Sequence, residues 1–139
     1  MIVIPADGQI AVVDDSKVER MILSRVLEMS NLVNPVIEFS SAVSFLNEID
    51  GREQSDLGLS LVLMDINMPV MTGFEALPQI RVERQMENLK IAIMVSSFEA
   101  RSDISRAEEL GADGYIAKQA GIDKFVAEIN ANFSNEPAY

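Results

Sequence analysis

The sequence predicts an α/β domain: a single doubly wound, five-stranded parallel sheet with helices on both faces. Three observations predict it. Short β-rich apolar runs alternate five times with longer segments of helical period. The short runs are nearly all apolar instead of alternating, which marks strands buried on both faces. The 139 residues, 48% of them hydrophobic, suit one ordinary core, and the chain has no internal repeat, low-complexity tract or linker. The expected organisation is one domain over residues 1–139, with a core from about 9 to 133 and a tail over 134–139.

The first strand run, Ile10 to Val13, is followed by Ser16-Lys17-Val18-Glu19. This is a capping-box pattern, in which the Ser hydroxyl and the Glu carboxylate each satisfy a free backbone N–H. Val18, Met21, Ile22, Val26 and Met29 then recur at helical spacing. Val36 to Phe39 is the second run, and Ser41 opens a helix with Ala42, Phe45, Leu46 and Ile49 on one face. Residues 51–58, GREQSDLG, are the most polar internal stretch and predict an extended surface loop. Leu59 to Met64 is the third run, and Thr72-Gly73-Phe74-Glu75 is a second capping box that should open the third helix. Pro78 breaks the pattern about one and a half turns later; it removes a hydrogen bond at roughly 3 kcal/mol and predicts a kink or a late start. Ile91 to Val95 precedes a fourth helix over about Ser102 to Leu110, which Gly111 should stop. Gly114 to Ala117 is the last run, and Ile122, Phe125, Val126, Ile129 and Phe133 mark the fifth helix. SNEPAY reads as a frayed tail.

Composition removes whole classes of chemistry. With 11 Lys+Arg against 22 Asp+Glu, the formal charge is −11, so no basic footprint exists for a phosphodiester backbone and direct nucleic-acid binding is not expected. There is no cysteine, which excludes disulfides, thiolate metal sites and cysteine nucleophiles. There is no histidine, which excludes Ser-His triads, imidazole bases and His-ligated zinc. No apolar run reaches the ~20 residues of a membrane span, and the first residues lack a basic leader region. Membrane insertion is therefore not expected, and a cytoplasmic location is. Carboxylate, hydroxyl and amine chemistry is what remains.

In a parallel α/β sheet, ligands bind outside the carboxyl ends of the strands. Here those ends carry Asp14-Asp15, Asp65, Ser96-Ser97 and Lys118. Three carboxylates about 5 Å apart, at an effective dielectric near 20, repel by about 3 kcal/mol per ionised pair. Protonation or a bound cation must relieve this, and an all-oxygen site without His or Cys suits a hard ion such as Mg²⁺. Mg²⁺ at an acidic site points to phosphoryl chemistry, in which Asp65 supplies a nucleophile, Ser96 a hydroxyl and Lys118 a cation for the phosphoryl oxygens. Each residue also has an ordinary reading. The acidic pair suits a helix N-terminus, Asp65 a turn, Ser96 and Lys118 plain strand ends, and Tyr115 a partly buried aromatic. Their joint occurrence at the ends of four runs of one sheet favours a site.

The segments VVDDSKVER, LVLMDINMPVMTGFEAL, IAIMVSSFEA and GADGYIAK, in this order and spacing, resemble a two-component response-regulator receiver domain. The resemblance covers about Gln9 to Phe133 and implies a flavodoxin-like receiver fold. It implies that a partner's phosphohistidine, on a histidine kinase or histidine phosphotransfer protein, phosphorylates Asp65 to an acyl phosphate. Asp15, Asp65 and the backbone carbonyl of Asn67 would ligate Mg²⁺ directly, and Asp14 largely through water. Ser96 and Lys118 would engage the phosphoryl oxygens. Ser96 and Tyr115 would then switch position and reshape the face built from the fourth helix, last strand and fifth helix for a downstream protein target. The expectation is a stand-alone, chemotaxis-messenger-like phosphoacceptor regulator, not an enzyme beyond catalysing its own phosphoryl transfer and slow dephosphorylation. Asn67 and Phe98 would flank the path of the hydrolytic water.

The sequence departs from the family pattern at four places. Gln119 follows Lys118 where the family usually has Pro, often after a cis bond, which before a non-proline residue costs about 3 kcal/mol. Thr72 replaces a common Asp, the GREQSDLG loop is long, and Pro78 is unusual. Three alternatives stay open at this stage. One is a receiver-like interaction module that no longer uses phosphate. Another is a haloacid-dehalogenase-like phosphohydrolase, which would want a second Asp where Asn67 stands. The third is a flavodoxin-type FMN protein, which should show a Ser/Thr/Gly phosphate loop where this chain has Asp14-Asp15.

Overall fold

The structure is a computed structural model describing residues 1–95 and 101–137. In chain order its elements are β1 (Ile2–Ile4), β2 (Gln9–Val13), α1 (Lys17–Met29), β3 (Val36–Phe39), α2 (Ala42–Ile49), β4 (Leu59–Asp65), α3 (Gly73–Pro78), β5 (Ile91–Val95), α4 (Arg101–Glu109), β6 (Gly114–Ala117), α5 (Ile122–Asn132) and β7 (Phe133–Asn135). β2 to β6 form a parallel sheet in the order β3-β2-β4-β5-β6. Alternate residues of the central strands enter two separate cores, as strands buried on both faces require. Ala11, Val13, Val62, Met64, Ile91 and Ile93 pack with Phe45 of α2, Leu77 of α3 and Ala107 of α4. Ile10, Val12, Leu61, Leu63 and Met94 pack with Val26 of α1 and Phe125 and Ile129 of α5. The doubly wound sheet with helices on both faces is therefore present, and its order reverses between β2 and β4, where such folds open a crevice at the strand ends.

Several local expectations are corrected. Residues 134 and 135 belong to β7 and do not fray: β7 pairs in parallel with β1, Ile2 opposite Phe133 and Ile4 opposite Asn135, in a second, two-stranded sheet. Phe133 opens this strand instead of closing the fifth helix, yet is buried as its apolar side chain demands. Asn34 clamps the arrangement, its Nδ2 donating to the carbonyls of Pro5 and Gly8 at 2.9 and 3.0 Å while its Oδ1 accepts from Asn135 Nδ2 at 2.8 Å. The 51–58 segment is not simply extended, since it contains a 3-10 turn over Gln54–Asp56 and buries Leu57. α3 starts on time with both capping-box bonds between Thr72 and Glu75, and after Pro78 the backbone widens into a π turn over Gln79–Glu83. No peptide bond among the described residues is cis, so Lys118-Gln119 is trans.

Candidate functional site

β2 delivers Asp14 and Asp15, β4 ends in Asp65, and the residue after β6 is Lys118. Because β2 and β4 are neighbours in register, their ends bring one carboxylate oxygen from each of Asp14, Asp15 and Asp65 within 4.8 Å of one another. Asp14 and Asp65 are buried at 2% and 6% exposure, whereas Asp15 is exposed. Lys118 Nζ donates to Asp65 Oδ2 at 3.3 Å, Asp14 Oδ2 at 3.1 Å and Glu19 Oε2 at 2.7 Å. The remaining oxygens of the buried pair are held by backbone: Asp14 Oδ1 accepts from Ser16 N–H at 3.0 Å and Asp65 Oδ1 from Asn67 N–H at 3.1 Å.

Three residues that the sequence reading did not place at the site support it. Arg20 donates to the Asp14 carbonyl at 2.7 Å and to Glu38 Oε1 at 3.2 Å, tying the end of β2 to β3. Gly73 lies against the end of β4, where an added Cβ would stand 2.8 Å from the Asp65 carbonyl oxygen and 2.9 Å from Ile66 Cα. Only glycine allows that approach without a backbone shift. Glu19 corrects the capping-box reading: Ser16 Oγ accepts from Glu19 N–H at 3.3 Å, but the Glu19 carboxylate reaches Lys118, so only half of the box forms. Ser96 and Phe98 lie outside the described residues. Tyr115 on β6 is exposed at 44%, and Asn67 is exposed beside Asp65.

Electrostatics follows from crowding several acids around one ammonium. Burial pushes Asp14 up to about 6, against the Ser16 N–H and the Lys118 charge, which pull it down. Burial also raises Asp65 above its usual range, opposed by Lys118 and the Asn67 N–H. Burial alone would lower Lys118, but the Glu19 hydrogen bond and the charges of Asp65 and Asp14 outweigh it and raise the ammonium above its ordinary value. Glu19 is lowered, because its hydrogen bonds with Lys118 and Asp14 outweigh the cost of its burial. One ammonium does not neutralise this set, and the acid trio offers a hard cation oxygen ligands only. That donor set fits Mg²⁺.

The family described as response regulator receiver domain matches residues 10–130. Two-component response regulator ARR5 of Arabidopsis thaliana is 33% identical over 112 residues, which is 76% of this chain and 60% of that protein. The chain therefore spans only about 60% of that relative's length. Two-component response regulator ORR11 of Oryza sativa subsp. japonica is 30% identical over 114 residues, 81% of this chain and 72% of that protein. Among solved structures, the chemotaxis protein CheY4 of Vibrio cholerae superposes with a TM-score of 0.69 at 22% identity, covering 86% of this chain and 93% of that one. This last likeness concerns the fold.

Proposed function

The chain belongs to the response regulator receiver domain family, and on that premise we propose that it is a phosphoacceptor whose Asp65 takes a phosphoryl group from a partner's phosphohistidine. The observation that carries the reading is the convergence of a buried carboxylate, two further acids and an ammonium at one sheet edge. Asp65 Oδ1 is pinned by the Asn67 N–H, which leaves Oδ2 as the attacking atom, 3.3 Å from Lys118 Nζ. In the step, Oδ2 bonds to phosphorus, the donor's P–N bond breaks and its imidazole leaves. Lys118 then follows the charge from Oδ2 to a phosphoryl oxygen, as a preorganised cation does at a developing charge. Asp14, Asp15, Asp65 and the Asn67 carbonyl would hold Mg²⁺, which when bound neutralises the phosphoryl oxygens. Ser96 would supply the hydroxyl that draws the loop after β5 toward the phosphate.

Asn67 favours acceptance over turnover. An amide transfers no proton, so a phosphohydrolase lacks its acid/base at that position and the acyl phosphate persists. We read the chain as a single receiver domain over residues 1–139. Tyr115 and the face of α4, β6 and α5 would form the surface that reports phosphorylation to a downstream protein. The phosphodonor is a histidine kinase or histidine phosphotransfer protein, because this chain has no histidine of its own. No helix among the described residues is long and apolar enough to cross a membrane, and we place the protein in the cytoplasm, with its phosphodonor.

Beryllofluoride, a phosphoryl mimic, tests the switch. With Mg²⁺ it should shift the amide resonances of α4, β6 and α5 in the wild type, and leave most of them unshifted in Lys118→Ala. A full wild-type pattern in Lys118→Ala would remove Lys118 from the role of linking phosphate to surface.

A further inference from the structure

Lys118 has three N–H donors, and each meets a different carboxylate. Two of these acids, Asp14 and Asp65, belong to the trio suited to a cation. The third, Glu19, lies on α1 outside that trio, is 44% exposed along its side chain, and makes the shortest of the three contacts at 2.7 Å. A carboxylate at this place serves neither nucleophile nor cation directly. We propose that Glu19 is a positioning residue that anchors Lys118 to α1 and competes with the incoming phosphoryl group for the ammonium, thereby setting how readily Asp65 is phosphorylated.

This rests on the phosphoacceptor reading and adds a restraint to it. To follow the phosphoryl group, Nζ must strengthen its contact on the Asp65 side, and the Glu19 contact draws it toward α1. Charge works in the same sense. A phosphodonor is anionic, so Glu19 opposes its approach, while Mg²⁺ is attracted by the same carboxylate. Loss of the Glu19 charge should therefore speed labelling and weaken Mg²⁺ binding, two changes of opposite sign. A merely structural Glu19 would lower the melting temperature with no gain in rate.

The test uses acetyl phosphate as donor at subsaturating concentration, with Mg²⁺ saturating for every variant, so that the phosphoryl group passes to Asp65 and acetate leaves. Wild type, Glu19→Gln, Lys118→Ala and the double variant are compared for labelling rate. Their Mg²⁺ affinity is read separately, from thermal stabilisation by the metal alone. The expected result is a roughly tenfold faster labelling of Glu19→Gln with Mg²⁺ affinity several-fold weaker, and no rate gain from Glu19→Gln once Lys118 is alanine. An unchanged or slower rate in Glu19→Gln overturns the inference. So does an equal gain in both backgrounds, which would make Glu19 a remote charge and not an anchor. A wild type that takes no label overturns the phosphoacceptor reading itself, and this inference with it.

Discussion

Val70, in the loop between Asp65 and α3, adopts φ of 69° at 94% exposure. The left-handed region costs an L-residue roughly 1–2 kcal/mol, and a β-branched side chain gains nothing there when it faces water. Glycine removes the steric cost and adds about 0.5–1 kcal/mol of backbone entropy to be lost on folding. Val70→Gly should therefore stabilise the protein by about 0.5–1 kcal/mol in urea unfolding, and a loss of stability would contradict the strain. The buried acids make a second prediction, for protein freed of divalent metal. Asp14 keeps its proton to about 6 in the fold, against a usual 3.8, so the folded state binds more protons than the unfolded state between these values. Stability must then fall as pH rises from about 4 to about 6, by on the order of 2–3 kcal/mol, with Asp65 acting in the same direction. Glu19, lowered from 4.5, opposes the fall only at the lower end of this window, until its unfolded carboxyl has ionised, and Lys118, raised from 10.5, changes only far above it. Chemical unfolding across this range, with and without saturating Mg²⁺, should show the decline in the first case and a smaller one in the second. A flat profile without metal would contradict the assigned burial. At this scale the sequence was legible wherever position along a strand decides a role. Asp14, Asp15, Asp65 and Lys118 all end apolar runs, and the structure brings all four together. Glu19 was not, because a capping box is a local pattern and the partner that takes its carboxylate is 99 residues away.

The elements read best where their signals are continuous. The five strands of the main sheet are short, mainly apolar runs, although only the central β2, β4 and β5 are buried while the edge strands β3 and β6 are partly exposed. Ser16, Ser41 and Thr72 all accept the backbone bond expected of a helix cap. β1 and β7 were illegible for a physical reason: each has three residues, too few to show a period, and each exists only because the other, from the opposite end of the chain, pairs with it. Asn34 joins them to the main domain from the segment before β3, and it is nearly buried with its amide fully engaged. Asn34→Ala should cost about 1–3 kcal/mol, for three hydrogen bonds lost to half-buried partners. It should also speed hydrogen exchange at the Glu136 amide, which donates to the Ile4 carbonyl at 2.9 Å. Unchanged exchange there would show that the small sheet holds without the clamp. The π turn after Pro78 had a partial signal. Proline announced a disturbance, but Arg81 decides its form, with donors to the carbonyls of Gly111, Met86 and Leu89 and to Asp113 Oδ2.

For the whole molecule, function follows from strand order. The chain winds outward in both directions from β2, so residues 14, 65 and 118, far apart in sequence, reach one edge, and the helices on both faces exclude water from Asp14 and Asp65. Burial raises those acids, Lys118 partly compensates them, and the acid trio that remains could hold a metal ion. The same arrangement leaves one carboxylate oxygen, Oδ2 of Asp65, beside the Lys118 ammonium, and this is the atom proposed to take the phosphoryl group. Incubation with acetyl phosphate and Mg²⁺, followed by hydroxylamine trapping and peptide mapping, tests this central claim most directly, since hydroxylamine displaces phosphate from an acyl phosphate and leaves a hydroxamate on the carboxyl that carried it. The expected result is one phosphoryl group per chain in the intact mass, one hydroxamate at Asp65, and neither in Asp65→Asn. A hydroxamate at Asp14 or Asp15, or undiminished labelling of Asp65→Asn, would contradict it.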